Sequence, residues 1–340
     1  MAVDMILGGF YGDEGKGCVM AYLVCNDKYD YSIRAGGGPQ AGHTPITGVK
    51  LAQLPAGILD PDSRLLIGKG TVIDPERVLK EINDYDDTYN IRPRLQIDPG
   101  CTIVSVDNKL EETGDHKARL GSVGSGCGPA RKKRIDRITG ILAKDCEEIK
   151  EYVGDVTGVL QKALDKNASI LAEGSHGYAL SLFEPDFYPY VTSQQCTASQ
   201  ALSDIGAGPK DSGEIYVVFK PWMSCVGERP FPDEWSPEEI KTRGIDEYGT
   251  VSGRQRRAAP FNDNLAIRAM NESTGTQVAV TNIDRFFPGN SGRKKLEKLT
   301  YDARKFLDEK TQLFSDNCRY FNGITLISTG PDLENMIDLR

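Results

Sequence analysis

The run Gly8-Gly-Phe-Tyr-Gly-Asp-Glu-Gly-Lys-Gly17 constrains this chain more than any other stretch. An apolar segment, Val3 to Leu7, leads into it, and a helix-like segment, Cys18 to Cys25, follows. Strand, glycine-rich turn, then helix is the context in which backbone N–H groups and a helix N-terminus cradle phosphate. Glycine allows close backbone approach, and Lys16 adds a cation. The run departs from the standard phosphate loop, which ends Gly-Lys-Ser/Thr. Cys18 follows Gly17, so no hydroxyl stands ready for magnesium, and two carboxylates, Asp13 and Glu14, lie inside the turn. Carboxylates beside a phosphate repel it unless they bind a cation or handle a proton. A plain glycine-rich turn with solvated acids is the alternative.

Composition narrows the class. The chain has 340 residues, 39% hydrophobic and 26% charged, with a net charge of −8. That is enough to bury a large core, and the acidic balance argues against a nucleic-acid partner. No apolar run reaches membrane-spanning length, and the N-terminus lacks a signal-peptide pattern. The 8 cysteines have no metal-ligand spacing, which fits reduced thiols in a cytoplasm. No repeat or low-complexity linker divides residues 1–340, so one domain is expected.

Further along, Tyr31 to Arg34 reads as a strand entering Ala35-Gly-Gly-Gly-Pro-Gln40-Ala-Gly42-His43-Thr44. His43 among small residues is either a general acid or an ordinary structural histidine. Arg64 to Ile67, Arg94 to Ile97, Thr102 to Val104, Ala168 to Ala172, Glu214 to Lys220, Gln277 to Ile283 and the run from Ile324 read as strands. Helices are expected from Pro75 through Tyr85, Cys146 to Leu164 and Lys295 to Glu309. Gly121-Ser122-Val123-Gly-Ser-Gly-Cys-Gly-Pro129 precedes five basic residues ending at Arg137, an anion site or a solvated basic face. His176 follows a strand as either a base-pocket residue or a hydrogen-bonded histidine. Tyr248-Gly-Thr250-Val-Ser252-Gly-Arg254-Gln-Arg256-Arg257 suits bidentate carboxylate capture. Asp284, after a strand, is placed to accept from guanine N1–H and N2–H.

Several of these motifs together resemble the adenylosuccinate synthetase family. They are Tyr11-Gly-Asp-Glu-Gly-Lys-Gly17, Ala41-Gly-His-Thr44, Gly121 to Ala130, Glu173 to Gly177, Tyr188-Pro-Tyr-Val-Thr-Ser193, Gly253 to Arg257 and Ser328-Thr-Gly-Pro331. The resemblance runs from Gly8 to Pro331 and implies an α/β fold with a mostly parallel central sheet flanked by helices. It implies a ligase of purine biosynthesis that joins L-aspartate to C6 of a purine monophosphate through a 6-phosphoryl intermediate, with Mg²⁺ and ATP or GTP. On this resemblance Asp13 is the base, Lys16 and His43 assist, and Asp13 with the Gly42 carbonyl holds the metal. The triphosphate falls to Gly12, Glu14, Gly15, Gly17, Gly42, Thr44, Asn282, Asp284, Ser328, Gly330 and Pro331. The monophosphate falls to Gln40, Ser122, Val123, His176 and Thr192, with Arg137 reaching across a homodimer interface. Aspartate falls to Thr250, Ser252, Arg254 and Arg256.

The chain departs from the family pattern at specific places. Gln40 stands for Asn, Val123 for Thr, His176 for Gln, Asn282 for Lys, Cys225 for Arg and Arg229 for Gly. Constant chemical residues with an altered monophosphate pocket imply an altered substrate. The favoured expectation is therefore dGMP, giving a 2-aminoadenine precursor as in some phage members; IMP with GTP is the alternative. A GTP-binding switch is the remaining rival, and the aspartate-type arginine loop speaks against it.

Overall fold

The computed structural model describes residues 2–113, 120–249 and 253–340. Its strands in chain order are β1 (Val3–Gly8), β2 (Tyr31–Ala35), β3 (Arg64–Ile67), β4 (Val72–Ile73), β5 (Leu95–Ile97), β6 (Thr102–Ile103) and β7 (Ile170–Gly174). They continue as β8 (Ser212–Phe219), β9 (Trp222–Cys225), β10 (Arg257–Pro260), β11 (Gln277–Val280), β12 (Gly323–Ser328) and β13 (Met336–Asp338). A nine-stranded sheet has the order β13-β12-β11-β8-β1-β7-β2-β3-β5, and only the β12–β13 pair is antiparallel. The mostly parallel α/β fold is thus the one expected. β13 is an edge strand that the sequence reading did not anticipate.

Both faces of this sheet are covered, so its inner strands are apolar on both sides. Along β1, Met5 and Leu7 join one core with Ile33, Val217 and Phe314. Ile6, between them, joins the opposite core with Val19, Met20, Leu23 and Val24 of helix α1 (Lys16–Asp27). A third core lies beneath helix α2 (Pro75–Tyr89), where Val78 and Ile82 meet Leu65, Ile67 and Ile97. Because the strands run parallel, the turns leaving β1, β2, β7, β8 and β11 gather along one rim of the sheet. β1 sits at the middle, and the chain winds outward from it in both directions, which opens a crevice at that rim.

Two helix expectations are corrected. Residues 146–164 are not one helix: a 3₁₀ segment, Glu147–Tyr152, ends before Gly154, and a new helix, Val156–Asp165, begins after it. Asp155 accepts a 2.7 Å bond from the Gly158 N–H, a side-chain cap that restarts the helix. The helix expected from Lys295 begins only at Tyr301 and runs to Asn317, because Thr300 is extended at its N-cap. In both places helical spacing of apolar residues spans a break, set in the first by the Asp155 cap and in the second by Asn290, whose Oδ1 accepts the Thr300 N–H at 2.8 Å. Helix α2 likewise continues past Tyr85 to Tyr89, ending where Asn90 takes a left-handed conformation.

Candidate functional site

Two cavities open at the sheet rim, sharing Gln40, Val123, Leu180 and Val226. The first, about 320 Å³, is walled by the Gly12–Gly17 turn, Gln40 to Thr44, Gly174 to His176, Glu247, Arg256 and Asn282. The second, about 410 Å³, is walled by Leu120 to Val123, Cys127 to Pro129, Tyr188 to Ser193 and Arg229. Asp13 and Lys16 of the first motif and His43 of the next thus meet at the first cavity.

The N-terminal turn resolves its own charge problem. Glu14 is buried, and its carboxylate accepts from the N–H groups of Phe10 (3.0 Å) and Gly12 (2.8 Å) while pairing with Lys16 (3.3 Å). Its carboxylate is therefore turned inward, away from solvent, where it folds the turn. Lys16 also donates to the Gly12 carbonyl at 3.1 Å. Gly12 has φ +97°, and a Cβ there would stand 2.9 Å from the His176 Cα, so no side chain fits. Thr281, just past β11, donates to the Glu14 carbonyl at 2.6 Å and ties the turn to the far half of the sheet.

Asp13 points into the cavity and pairs through Oδ1 with Arg256 Nη2 at 2.9 Å. Burial raises its carboxyl above the ordinary range, and Arg256 and Lys220 oppose that rise. Arg256 in turn is held by Glu247 at 3.3 Å. Glu247 also receives Lys220, Arg285 (2.9 Å) and the Ser224 hydroxyl (3.1 Å). Burial pushes the Glu247 carboxyl up, but these cations prevail and hold it at about 2. Sequence reasoning missed Glu247 and Lys220; the only signal was their place beside the arginine loop and at the end of a strong strand.

His43 is held with equal firmness. Its Nδ1 lies 2.7 Å from Glu173 and its Nε2 3.1 Å from the Leu54 carbonyl, so both nitrogens face acceptors. Arg34 Nη1 is also 2.8 Å from Nδ1. A nitrogen whose proton serves Glu173 cannot accept from Arg34, so that approach is a contact, and Arg34 instead pairs with Glu173 at 3.1 Å and donates to the Ala41 carbonyl at 2.7 Å. Glu173 is fully buried; burial works to raise its carboxyl, and His43 and Arg34 bring it down to about 2.

His176 adopts φ +64°, an uncommon conformation outside glycine. Burial first, then Lys16, Arg34 and Arg131, lowers its imidazole to about 3, so the ring is neutral. Gln40 accepts from the Cys127 thiol at 2.5 Å through Oε1 and turns its amide nitrogen to His176 Nε2 at 3.4 Å. His176 Nδ1 is buried without a partner, a donor available to an acceptor in the cavity.

At the second cavity Ser122 donates to Glu112, whose other oxygen takes the Gly126 N–H at the N-terminus of helix Cys127–Asp136. Val123 and Thr192 line the same wall. Arg254 donates to the carbonyls of Gly121 (2.6 Å) and Ser122 (3.1 Å), docking the arginine loop on the glycine loop. Thr250 and Ser252 lie outside the described residues. Arg137 is exposed at the left-handed C-cap of its helix, away from both cavities. Asp284 after β11, Ser328 at the end of β12, and Gly330 and Pro331 beyond it line neither cavity, whereas Asn282 lines the first.

The adenylosuccinate synthetase family model matches residues 5–147 and 141–287. The adenylosuccinate synthetase of Methanocaldococcus jannaschii is 40% identical over all of this chain and 97% of its own length. This chain belongs to the adenylosuccinate synthetase family. The Methanosphaera stadtmanae enzyme of the same name is also 40% identical, over 100% and 98% of the two chains. Among solved structures, a fully ligated Plasmodium falciparum adenylosuccinate synthetase superposes with TM-score 0.87 at 21% identity, covering 100% of both chains. The cyanophage S-2L succinoaminodeoxyadenylate synthetase, bound to dGMP and dATP, gives 0.80 at 24% identity over 99% and 95%. At such identities the two structures speak for the fold.

The chain is therefore a ligase that joins aspartate to a purine nucleotide, in a family that uses Mg²⁺ and GTP. Among the described residues no cluster of three His, Cys, Asp or Glu forms a protein-only metal site. Asp13 and Gly42 nevertheless line one cavity. Mg²⁺ commonly takes one or two protein oxygens and completes its shell with water and phosphate, so this pair fits a cation that arrives with a triphosphate. No helix among the described residues is long and apolar enough to cross a membrane.

Proposed function

We propose that this synthetase acts on IMP with GTP, Asp13 being the base and His43 the group that polarises the 6-oxygen. The observation that carries the choice is 40% identity over the whole chain to proteins named adenylosuccinate synthetase, which favours IMP over dGMP. Asp13 points into the first cavity, and its carboxylate, paired through Oδ1 with Arg256 at 2.9 Å, keeps acceptor sites for the N1–H of hypoxanthine.

In this reading Asp13 takes the N1 proton, and the charge that develops on the 6-oxygen is met by His43 Nε2, the substrate oxygen replacing the Leu54 carbonyl as its partner while Glu173 keeps Nδ1. Lys16 offsets charge on the transferring phosphoryl group, and Mg²⁺, held by Asp13 and the Gly42 carbonyl, supplies electrostatic stabilisation when bound. The phosphorylated oxygen is then a good leaving group for the amine of aspartate, whose carboxylates are held by Arg254 and Arg256 together with Thr250 and Ser252. Asp284 accepts from the guanine of GTP. A competition assay with IMP and dGMP, aspartate and GTP tests the assignment: IMP should win by at least tenfold in kcat/KM. Preference for dGMP would restore the altered-substrate reading.

A homodimer belongs to the same proposal. Ile135 and Ile138 flank Arg137 in the chain, Val106 and Leu110 lie on the helix packed against that of Ile135, and all four are 64–86% exposed, apolar surface that water disfavours. Pairing that face with a second copy would cover it and carry Arg137 toward the partner's monophosphate. Mixing inactive Arg137→Ala and Asp13→Ala proteins should restore part of the activity; no recovery after verified subunit exchange would remove the shared site.

A further inference from the structure

Arg229 stands on the wall of the second cavity beside Val226, near Ser122, Val123 and Thr192. Its guanidinium lies over the Tyr11 ring at 4.8 Å. Nε and Nη1 are buried and have no hydrogen-bond partner. Among the described residues no carboxylate pairs with it, in contrast to its neighbours: Arg256 has Asp13 and Glu247, and Arg257 has Glu234. A cation–π contact recovers only part of what a guanidinium loses on leaving water. The position therefore costs stability as it stands, and an anion in the cavity would supply the missing partner.

The surrounding sequence sharpens the point. Arg229 and Cys225 are two departures within one motif, an arginine lost at 225 and one gained four residues later. Cys225 ends β9 with its side chain buried, and Arg229 exerts the largest electrostatic influence on its thiol, which burial pushes up to about 11. The charge removed at 225 is thus returned to the same neighbourhood from 229. In the lining of the same cavity Val123 has lost a hydroxyl, so the wall has exchanged a neutral donor for a cationic one.

We propose that Arg229 is a substrate-anchoring residue, its unpaired donors binding a substrate oxyanion, either the nucleotide phosphate or an aspartate carboxylate. The inference rests on the ligase reading above. Two measurements on Arg229→Gln test it: KM for each substrate with the other saturating, and equilibrium dialysis of IMP against inosine, which lacks the phosphate. If the phosphate is bound, IMP affinity falls at least tenfold while inosine is unaffected. If a carboxylate is bound, KM for aspartate rises at least tenfold while IMP binding holds. The double variant Cys225→Arg/Arg229→Gly should return the affected constant to within threefold of the starting protein. Changes below twofold on both substrates would overturn the proposal. So would equal losses for IMP and inosine, which would mark Arg229 as packing for Tyr11, and so would failure of a folded double variant to recover. A starting protein that converts dGMP and not IMP would sink the IMP assignment alone; the same arms run with dGMP and deoxyguanosine then decide Arg229.

Discussion

The two cavity walls are built on opposite electrostatic terms. Around the first, the charges are paired among themselves: Asp13 with Arg256, Glu14 with Lys16, Arg34 and His43 with Glu173, Lys220 and Arg285 with Glu247. Around the second, apolar Leu120, Leu182 and Val191 stand with Arg229, a cation that has no carboxylate partner among the described residues, and Glu112 occupies Ser122 and the helix N-terminus. Reacting groups need fixed geometry, and mutual pairing at the rim of a rigid sheet provides it. The second wall has donors whose partners would come from the substrate, which makes it the place where specificity can change without disturbing the chemistry.

The strongest way to break this contrast is at the base. Asp13→Asn should lower kcat/KM by roughly 10²–10⁴ through loss of proton abstraction, with thermal unfolding little changed. Because burial raises the Asp13 carboxyl, and a base must be ionised, activity should fail on the acid side above the range of an ordinary aspartate. Arg256 opposes that rise, so Arg256→Gln should move the acid limb of kcat/KM to still higher pH. An unmoved limb would separate Asp13 from the observed titration.

Glu247 tests whether pairing is what holds the first wall. Glu247→Gln leaves the buried Lys220 without its carboxylate and should cost about 3–5 kcal/mol of stability in urea unfolding. The linkage sign follows from the depressed carboxyl. With a folded value of about 2 against 4.5 unfolded, its stabilisation is present above pH 4.5 and is lost as pH falls toward 2. The variant's deficit should therefore shrink across that window. A deficit that stays constant from pH 6 to pH 3 would mean that Glu247 acts by shape alone.

Smaller effects are expected at the second wall. Glu112→Gln weakens a carboxylate that competes with an incoming phosphate, so KM for the monophosphate should fall about three- to tenfold, a change of order 1 kcal/mol, at constant aspartate KM. Val123→Thr restores a hydroxyl and should alter monophosphate affinity by less than about tenfold, again of order 1 kcal/mol. If either variant changed kcat more than KM, the division between a chemical wall and a binding wall would fail.

Much of this molecule is legible in its sequence because local chemistry dictates it. Continuous apolar runs such as Val3 to Leu7 and Ile215 to Phe219 specify strands buried on both faces, and therefore a covered parallel sheet. The glycines of the N-terminal turn, with Asp13 and Lys16 between them, specify a phosphate-facing strand-to-helix connection, and several motifs in order specify the family. Helix boundaries were less legible, since Asp155 caps one helix and Asn290 holds Thr300 before another, where apolar spacing alone would run on. Tertiary structure alone decided which charges meet. Glu173 pairs with His43 across 130 positions of sequence, Glu247 reaches Lys220, Arg256 and Arg285 from different elements, and Arg229 is left with no carboxylate among the described residues. Charge pairing acts through space over a few ångströms, and those distances exist only after parallel strands have brought their ends to one rim.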